Sequence, residues 1–158
     1  MELRKTFRFE ASHVLPKHSG KCSRLHGHSW VLHVSVKGAV DKETGFVQDF
    51  ADISGVIKPI IDTLDHRHLG TWGHILTDVG QLEDEHHHDD WFAPGLPLGI
   101  YPSSENLLIW IASQLAPLDV LAPLGTMYRS RWSSVALEET CTSYALLTRE
   151  EYESGLQR

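Results

Sequence analysis

From Leu3 to Ala11 apolar and polar side chains alternate, with Phe7, Phe9 and Ala11 on one side and Thr6, Arg8 and Glu10 on the other. A period of two over this length reads as a strand with one buried face. After a loop containing Pro16, Gly20 and several polar residues, the same period returns from about His28 to Gly38, carried by Trp30, Leu32, Val34 and Val36. The two strands are predicted to pair antiparallel. Histidines stand at the joint between them. His13 is in step with Phe7, Phe9 and Ala11, while His26 and His28, with Gly27 between them, project to one side of the second strand. Pairing brings His13 in as a third imidazole. Three neutral imidazoles with no fourth protein ligand describe an open, catalytic zinc site rather than a closed structural one. His33 lies on the opposite parity from His28 and is left out of the ligand set.

A thiol precedes this pair: Cys22 stands four positions before His26, in Cys22-Ser23-Arg24-Leu25-His26-Gly27-His28-Ser29. A free cysteine is most often a small packed residue. Here a polar loop, Lys21 and Arg24 alongside, and a zinc ion within reach favour a thiolate that serves as base or nucleophile. Cys141 has no such company and reads as structural. Two cysteines are too few for a disulfide framework and agree with a reducing compartment. The N-terminus runs straight into an alternating strand, without a signal peptide or membrane span, so a cytoplasmic protein is expected.

Between Asp49 and Leu64 the period changes. Phe50, Ile53, Ile57, Ile60, Ile61 and Leu64 fall at helical spacing behind Asp49 as N-cap, although Pro59 inside the segment predicts an irregularity. A second helix is expected to begin near Ser103 or Ser104, to bury Leu107, Leu108, Ile111, Ala112 and Leu115, and to end at Pro117. Two more strands are expected between Trp132 and Leu147. The predicted fold class is α+β, strand-strand-helix-helix-strand-strand, a four-stranded antiparallel sheet with two helices on one face. At 158 residues the chain fits a single domain, residues 1–158. Two open sheet edges predict association between copies.

A net charge of −7 argues against broad nucleic-acid binding, which normally needs a basic face. Much of the acid is local, at Glu83, Asp84, Glu85, Asp89 and Asp90, whereas Lys17, Lys21 and Arg24 surround the histidine motif. An anionic small-molecule substrate is therefore compatible with the charge pattern. Asp65 directly precedes His66, and a carboxylate beside an imidazole can stabilise a proton shuttle. The bland alternative is that both solvate a helix C-terminus. On the last strands Glu139 is in line with the apolar face, so its carboxylate either meets solvent at the edge of the core or is buried to hold a ligand. The run Glu83-Asp84-Glu85-His86-His87-His88-Asp89-Asp90 reads as a solvated loop rather than a second metal site.

Six short pieces occur in order: Phe9-Glu10-Ala11-Ser12-His13, Cys22 to His28, Gly45-Phe46-Val47-Gln48-Asp49-Phe50, Leu64-Asp65-His66, Pro102-Ser103-Ser104-Glu105-Asn106 and Glu139-Thr140-Cys141-Thr142. Together they resemble the 6-pyruvoyl-tetrahydropterin synthase superfamily, and most closely its 6-carboxy-5,6,7,8-tetrahydropterin synthase branch. The three residues between Cys22 and His26 resemble that branch, since the pyruvoyl-forming enzymes have a longer interval. The resemblance implies that His13, His26 and His28 bind Zn2+, that Cys22 accepts a proton, and that Asp65 and His66 form an acid–base relay to which Glu139 also belongs. It implies further that Glu139 anchors the pterin, with Glu105 supporting that pocket. The implied activity is that of a lyase in the queuosine pathway, converting 7,8-dihydroneopterin triphosphate to 6-carboxy-5,6,7,8-tetrahydropterin, acetaldehyde and triphosphate. The alternatives are a 6-pyruvoyl-tetrahydropterin or folate-branch synthase, or a non-catalytic pterin- or zinc-binding module. The implied fold, the T-fold, closes its sheets into a barrel as a homo-oligomeric trimer or hexamer, with active sites between subunits. An insertion at about 70–101 departs from the bacterial pattern.

Overall fold

The computed structural model describes residues 1–70, 93, 96, 100–119 and 130–155. Most of the insertion, including the acidic His-rich run 83–90, lies outside the described residues.

Strand β1 (Glu2–His13) and strand β2 (His26–Lys37) form the antiparallel pair that their alternation predicts. Phe9 faces Trp30, Ala11 faces His28 and His13 faces His26. The stacked rings of Phe9 and Trp30, 5.9 Å between centroids, fix that register from within the core. A slip by one residue would turn the histidines and the apolar row to the opposite face.

Helix α1 (Phe50–Leu64) begins where Asp49 accepts the amide hydrogen of Ala51 at 2.7 Å. Ile53, Ile57, Ile60, Ile61 and Leu64 are its buried stripe. The helix continues through Pro59, which sits on the exposed side of the turn. Helix α2 (Ser104–Ser113) is capped by Ser103 and buries Leu107, Leu108, Ile111 and Ala112. It stops before Pro117, which lies in a short 3-10 turn, Ala116–Asp119.

Strands β4 (Arg131–Thr140) and β5 (Ser143–Thr148) complete the expected set, but the sheet is five-stranded and mixed rather than four-stranded and antiparallel. The addition is β3 (Arg67–Leu69), which pairs parallel with Ala11 to His13, giving the order β3-β1-β2-β4-β5. Three residues are too short for a period to register. The chain leaves this strand at Leu69 and is back against it by Ala93, whose amide donates to the His68 carbonyl at 3.2 Å.

Both helices pack on the face that carries Phe9, Trp30, Leu32, Val34 and Leu137, so the core lies between one sheet face and the helices. A third helix, α3 (Arg149–Gly155), was absent from the sequence expectation. Arg149 holds it in place: its guanidinium reaches both oxygens of Asp119 at 2.7 Å and lies over the Trp132 ring. Arg149→Ala is expected to cost about 1–2 kcal/mol, the sum of a part-buried charged pair and a cation–π contact. A urea midpoint unchanged from the parent would show that α3 docks without it.

Candidate functional site

His13 ends β1 and His26 begins β2, so the β1–β2 loop delivers two imidazoles to one point and Gly27 spaces the third, His28, onto the same face. Backbone carbonyls set their tautomers. His13 Nδ1 lies 2.8 Å from the Pro102 carbonyl and His26 Nδ1 lies 2.7 Å from that of Arg24. A carbonyl only accepts, so each Nδ1 carries its proton and each neutral ring presents a bare Nε2 lone pair. Those lone pairs point at one another, Nε2 to Nε2, at 3.1 Å. His28 Nε2 is buried and aligned with no hydrogen-bond partner, although Glu139 Oε1 stands 3.3 Å away.

Such an arrangement is repulsive unless a cation or a proton lies among the atoms. Glu139 Oε1 is 3.2 Å from His13 Nε2, and the four donor atoms lie within 4.8 Å of one another. Ligands about 2.0–2.1 Å from a tetrahedral zinc are roughly 3.3 Å apart, close to the 3.1, 3.2 and 3.3 Å separations found here. The residues therefore fit a metal ion. His28 is kept neutral chiefly by burial, against the pull of Glu139 and with help from His13 and His26, as a ligand requires.

Parity predicted three imidazoles and an open fourth position; the cluster has a fourth protein donor. Glu139 lies at a break in the β4–β5 register between Glu138 and Thr140, a bulge that releases it from the ladder and lets it turn to the histidines. The Ser104 hydroxyl donates to its other oxygen at 2.7 Å. When a proton rather than a metal ion lies between Oε1 and the imidazoles, hydrogen bonding from His13, then from Ser104, and the positive charge placed on His13 and His28 bring its pKa down to about 2, against the effect of burial. Its ordinary value is 4.5 and the folded value is lower, so the ionised group stabilises the fold above 4.5. That contribution is lost as pH falls through the window toward 2. The metal-free protein should show a urea midpoint that drops across this window, and Glu139→Gln should flatten the drop. Parallel curves for the two proteins would remove Glu139 from the account.

Glu139 also lines a pocket of about 150 Å³ with Ser104, Glu105, Ser143, Tyr144 and Ala145. Glu105 and Glu139, paired in the sequence reading, thus share one cavity. Ser103 takes the cap of helix α2, which leaves the Ser104 hydroxyl to donate to Glu139. The carbonyls of Pro102 and Arg24 leave no sequence signal.

Asp65 and His66 do meet. Asp65 Oδ1 lies 3.0 Å from His66 Nδ1 and accepts the Glu10 amide at 2.8 Å. That amide bond, first among several, holds the Asp65 carboxyl below its ordinary pKa. His66 adopts a φ of +56° and donates its own amide to the Glu10 carbonyl. Its side chain is 78% exposed. Glu10 is three residues from His13, so the dyad is anchored about 10 Å along β1 from the cluster. Cys22 sits in the 3-10 turn Lys21–Ser23, half-buried and outside the four-donor cluster. Cys141 is exposed in the β4–β5 turn rather than packed. His33, excluded by parity, is on the opposite face, 2.7 Å from Glu138. Among the described residues no helix is long and apolar enough to cross a membrane.

The chain is similar to known proteins over nearly all of its length. A 6-carboxy-5,6,7,8-tetrahydropterin synthase from Synechocystis sp. is 35% identical over 145 residues, covering 89% of this chain and 88% of that one. A 6-pyruvoyl tetrahydrobiopterin synthase from Dictyostelium discoideum is 34% identical over 99 residues, 62% of this chain and 58% of its own. The fold matches the solved structure of an uncharacterized protein from Wolinella succinogenes with a TM-score of 0.70 at 21% identity, covering 94% of this chain and 98% of that one. The model of the 6-pyruvoyl tetrahydropterin synthase family matches residues 2–150, and with the ordered motifs and the histidine cluster this places the chain in that family.

Proposed function

We propose that the protein is a cytoplasmic, zinc-dependent lyase converting 7,8-dihydroneopterin triphosphate to 6-carboxy-5,6,7,8-tetrahydropterin, acetaldehyde and triphosphate, a step toward queuosine. The observation that carries this reading is the convergence of three imidazole Nε2 atoms and Glu139 beside a pocket lined by two carboxylates. The carboxy branch is favoured by the Synechocystis relative and by the three-residue interval between Cys22 and His26.

In this reading His13, His26 and His28 hold the zinc. Bound there, it would polarise oxygens of the substrate side chain and acidify the adjacent C–H bonds. Glu139, fixed by Ser104 and ionised, accepts hydrogen bonds from the pterin amino and ring N–H groups, with Glu105 across the pocket. Cys22 takes a proton from the activated carbon. His66, held by Asp65, moves a proton on the other side. The high exposure of His66 suits a site completed by a second subunit, and the exposed Tyr144 and Leu146 on edge strand β5 suit sheet-to-sheet association as a trimer or hexamer. Residues 1–158 form one domain, with 70–101 as an insertion.

Zinc-loaded protein incubated with dihydroneopterin triphosphate should release acetaldehyde and 6-carboxytetrahydropterin, identified by mass spectrometry. A pyruvoyl product without acetaldehyde would move the protein to the other branch. No turnover and no pterin binding would leave only a metal-binding module.

A further inference from the structure

Between Glu10 and Asp41 the chain has no acidic residue, although its net charge is −7. That interval holds Lys17, Lys21 and Arg24, all exposed, on the loop that joins His13 to His26. None of the three forms an ion pair among the described residues, whose bridges all lie elsewhere. Three unneutralised cations on one short loop repel each other unless an anion joins them.

The loop is also braced. Leu15 donates its amide to the Cys22 carbonyl at 2.9 Å, His18 to Leu15 at 2.9 Å, Ser23 to Gly20 at 3.1 Å and Arg24 to Lys21 at 3.1 Å. The Ser23 hydroxyl adds a bond to the Gly20 carbonyl at 2.8 Å. Arg24 is tied to the histidine cluster, since its carbonyl takes the His26 Nδ1 proton at 2.7 Å. The cations are therefore carried on a folded turn whose two ends are cluster residues.

Two regions of opposite charge meet at that cluster: the pocket with Glu105 and Glu139, and the cationic loop. We propose that the β1–β2 loop is the polyphosphate subsite, with Lys21 and Arg24, backed by Lys17, holding the triphosphate tail of a substrate whose N–H-rich ring lies against the carboxylates. This rests on the pterin-triphosphate reading above. It assigns Lys21 and Arg24 a role in binding rather than in proton transfer. Charge-assisted hydrogen bonds to phosphate oxygens are the strong class, and each is worth about ten-fold in affinity.

The test compares dihydroneopterin triphosphate with unphosphorylated dihydroneopterin in fluorescence titrations of the zinc-loaded protein, wild type against Lys21→Ala/Arg24→Ala. Zinc content checks that the variant keeps its fold and its cluster. In the wild type the triphosphate should bind more tightly than the bare pterin, and that advantage should weaken with salt. In the variant the advantage should shrink by about ten-fold or more, with the affinity for dihydroneopterin unchanged. An advantage that survives intact in the variant overturns the proposal and leaves the pterin reading standing. If the wild type binds neither pterin, the pterin reading falls, and inorganic triphosphate titrated into both proteins then decides the loop alone. Triphosphate binding lost in the variant supports the loop, and equal binding or none in both overturns it.

Discussion

His26→Ala protein is expected to emerge from purification and dialysis nearly free of zinc, and to be inactive even when zinc is resupplied at modest excess. Loss of an outer hydrogen-bond partner of a metal ligand typically costs roughly 10–100-fold in affinity, so loss of a ligand itself should cost more than about 100-fold. His26 is the informative choice among the three. His13 is fully buried, and its removal would open a cavity and strand the Pro102 carbonyl, confusing a binding loss with a folding loss. His26 is only half-buried and bonds an exposed loop carbonyl. Zinc stoichiometry measured against free-metal concentration gives the answer directly. A variant that holds one equivalent with wild-type affinity would remove His26 from the ligand set.

Cys22→Ala should behave in the opposite way, with metal retained and turnover lost. Removal of a positioned proton acceptor costs about 10²–10⁴-fold in rate. The fall should appear in kcat with KM for the pterin triphosphate little changed, since Cys22 lies outside the donor cluster and outside the lining of the Glu139 pocket. Turnover within a few-fold of the parent would make Cys22 an ordinary packed residue of the loop. Asp65→Asn offers a useful comparison: it keeps the shape of the dyad but weakens the carboxylate that faces His66 Nδ1.

The convergence of the three histidines was legible because it is written in parity. Two alternating segments, each with histidines in step with its apolar row, put all three imidazoles on one face once they pair antiparallel, and the structure sets Ala11 opposite His28 and His13 opposite His26. The same arithmetic set His33 apart. Glu139 was visible only as a carboxylate on an apolar face; the bulge that turns it toward the histidines depends on how β5 returns against β4, and no residue between Glu138 and Thr140 announces it. Strand β3 was missed because three residues carry no period, and the Arg149 clasp because it joins side chains thirty residues apart. Backbone carbonyls that orient imidazoles come from any residue type, so Pro102 and Arg24 were unreadable in that role.

The chain that departs at Leu69 and returns at Ala93 is joined at its base by an amide-to-carbonyl bond from Ala93 to His68. Both stems rest on β3, whereas the cluster residues come from β1, β2 and β4. The scaffold therefore works as a socket: the four donors are fixed by β1, β2 and β4, and none of them is drawn from the strand on which the two stems rest.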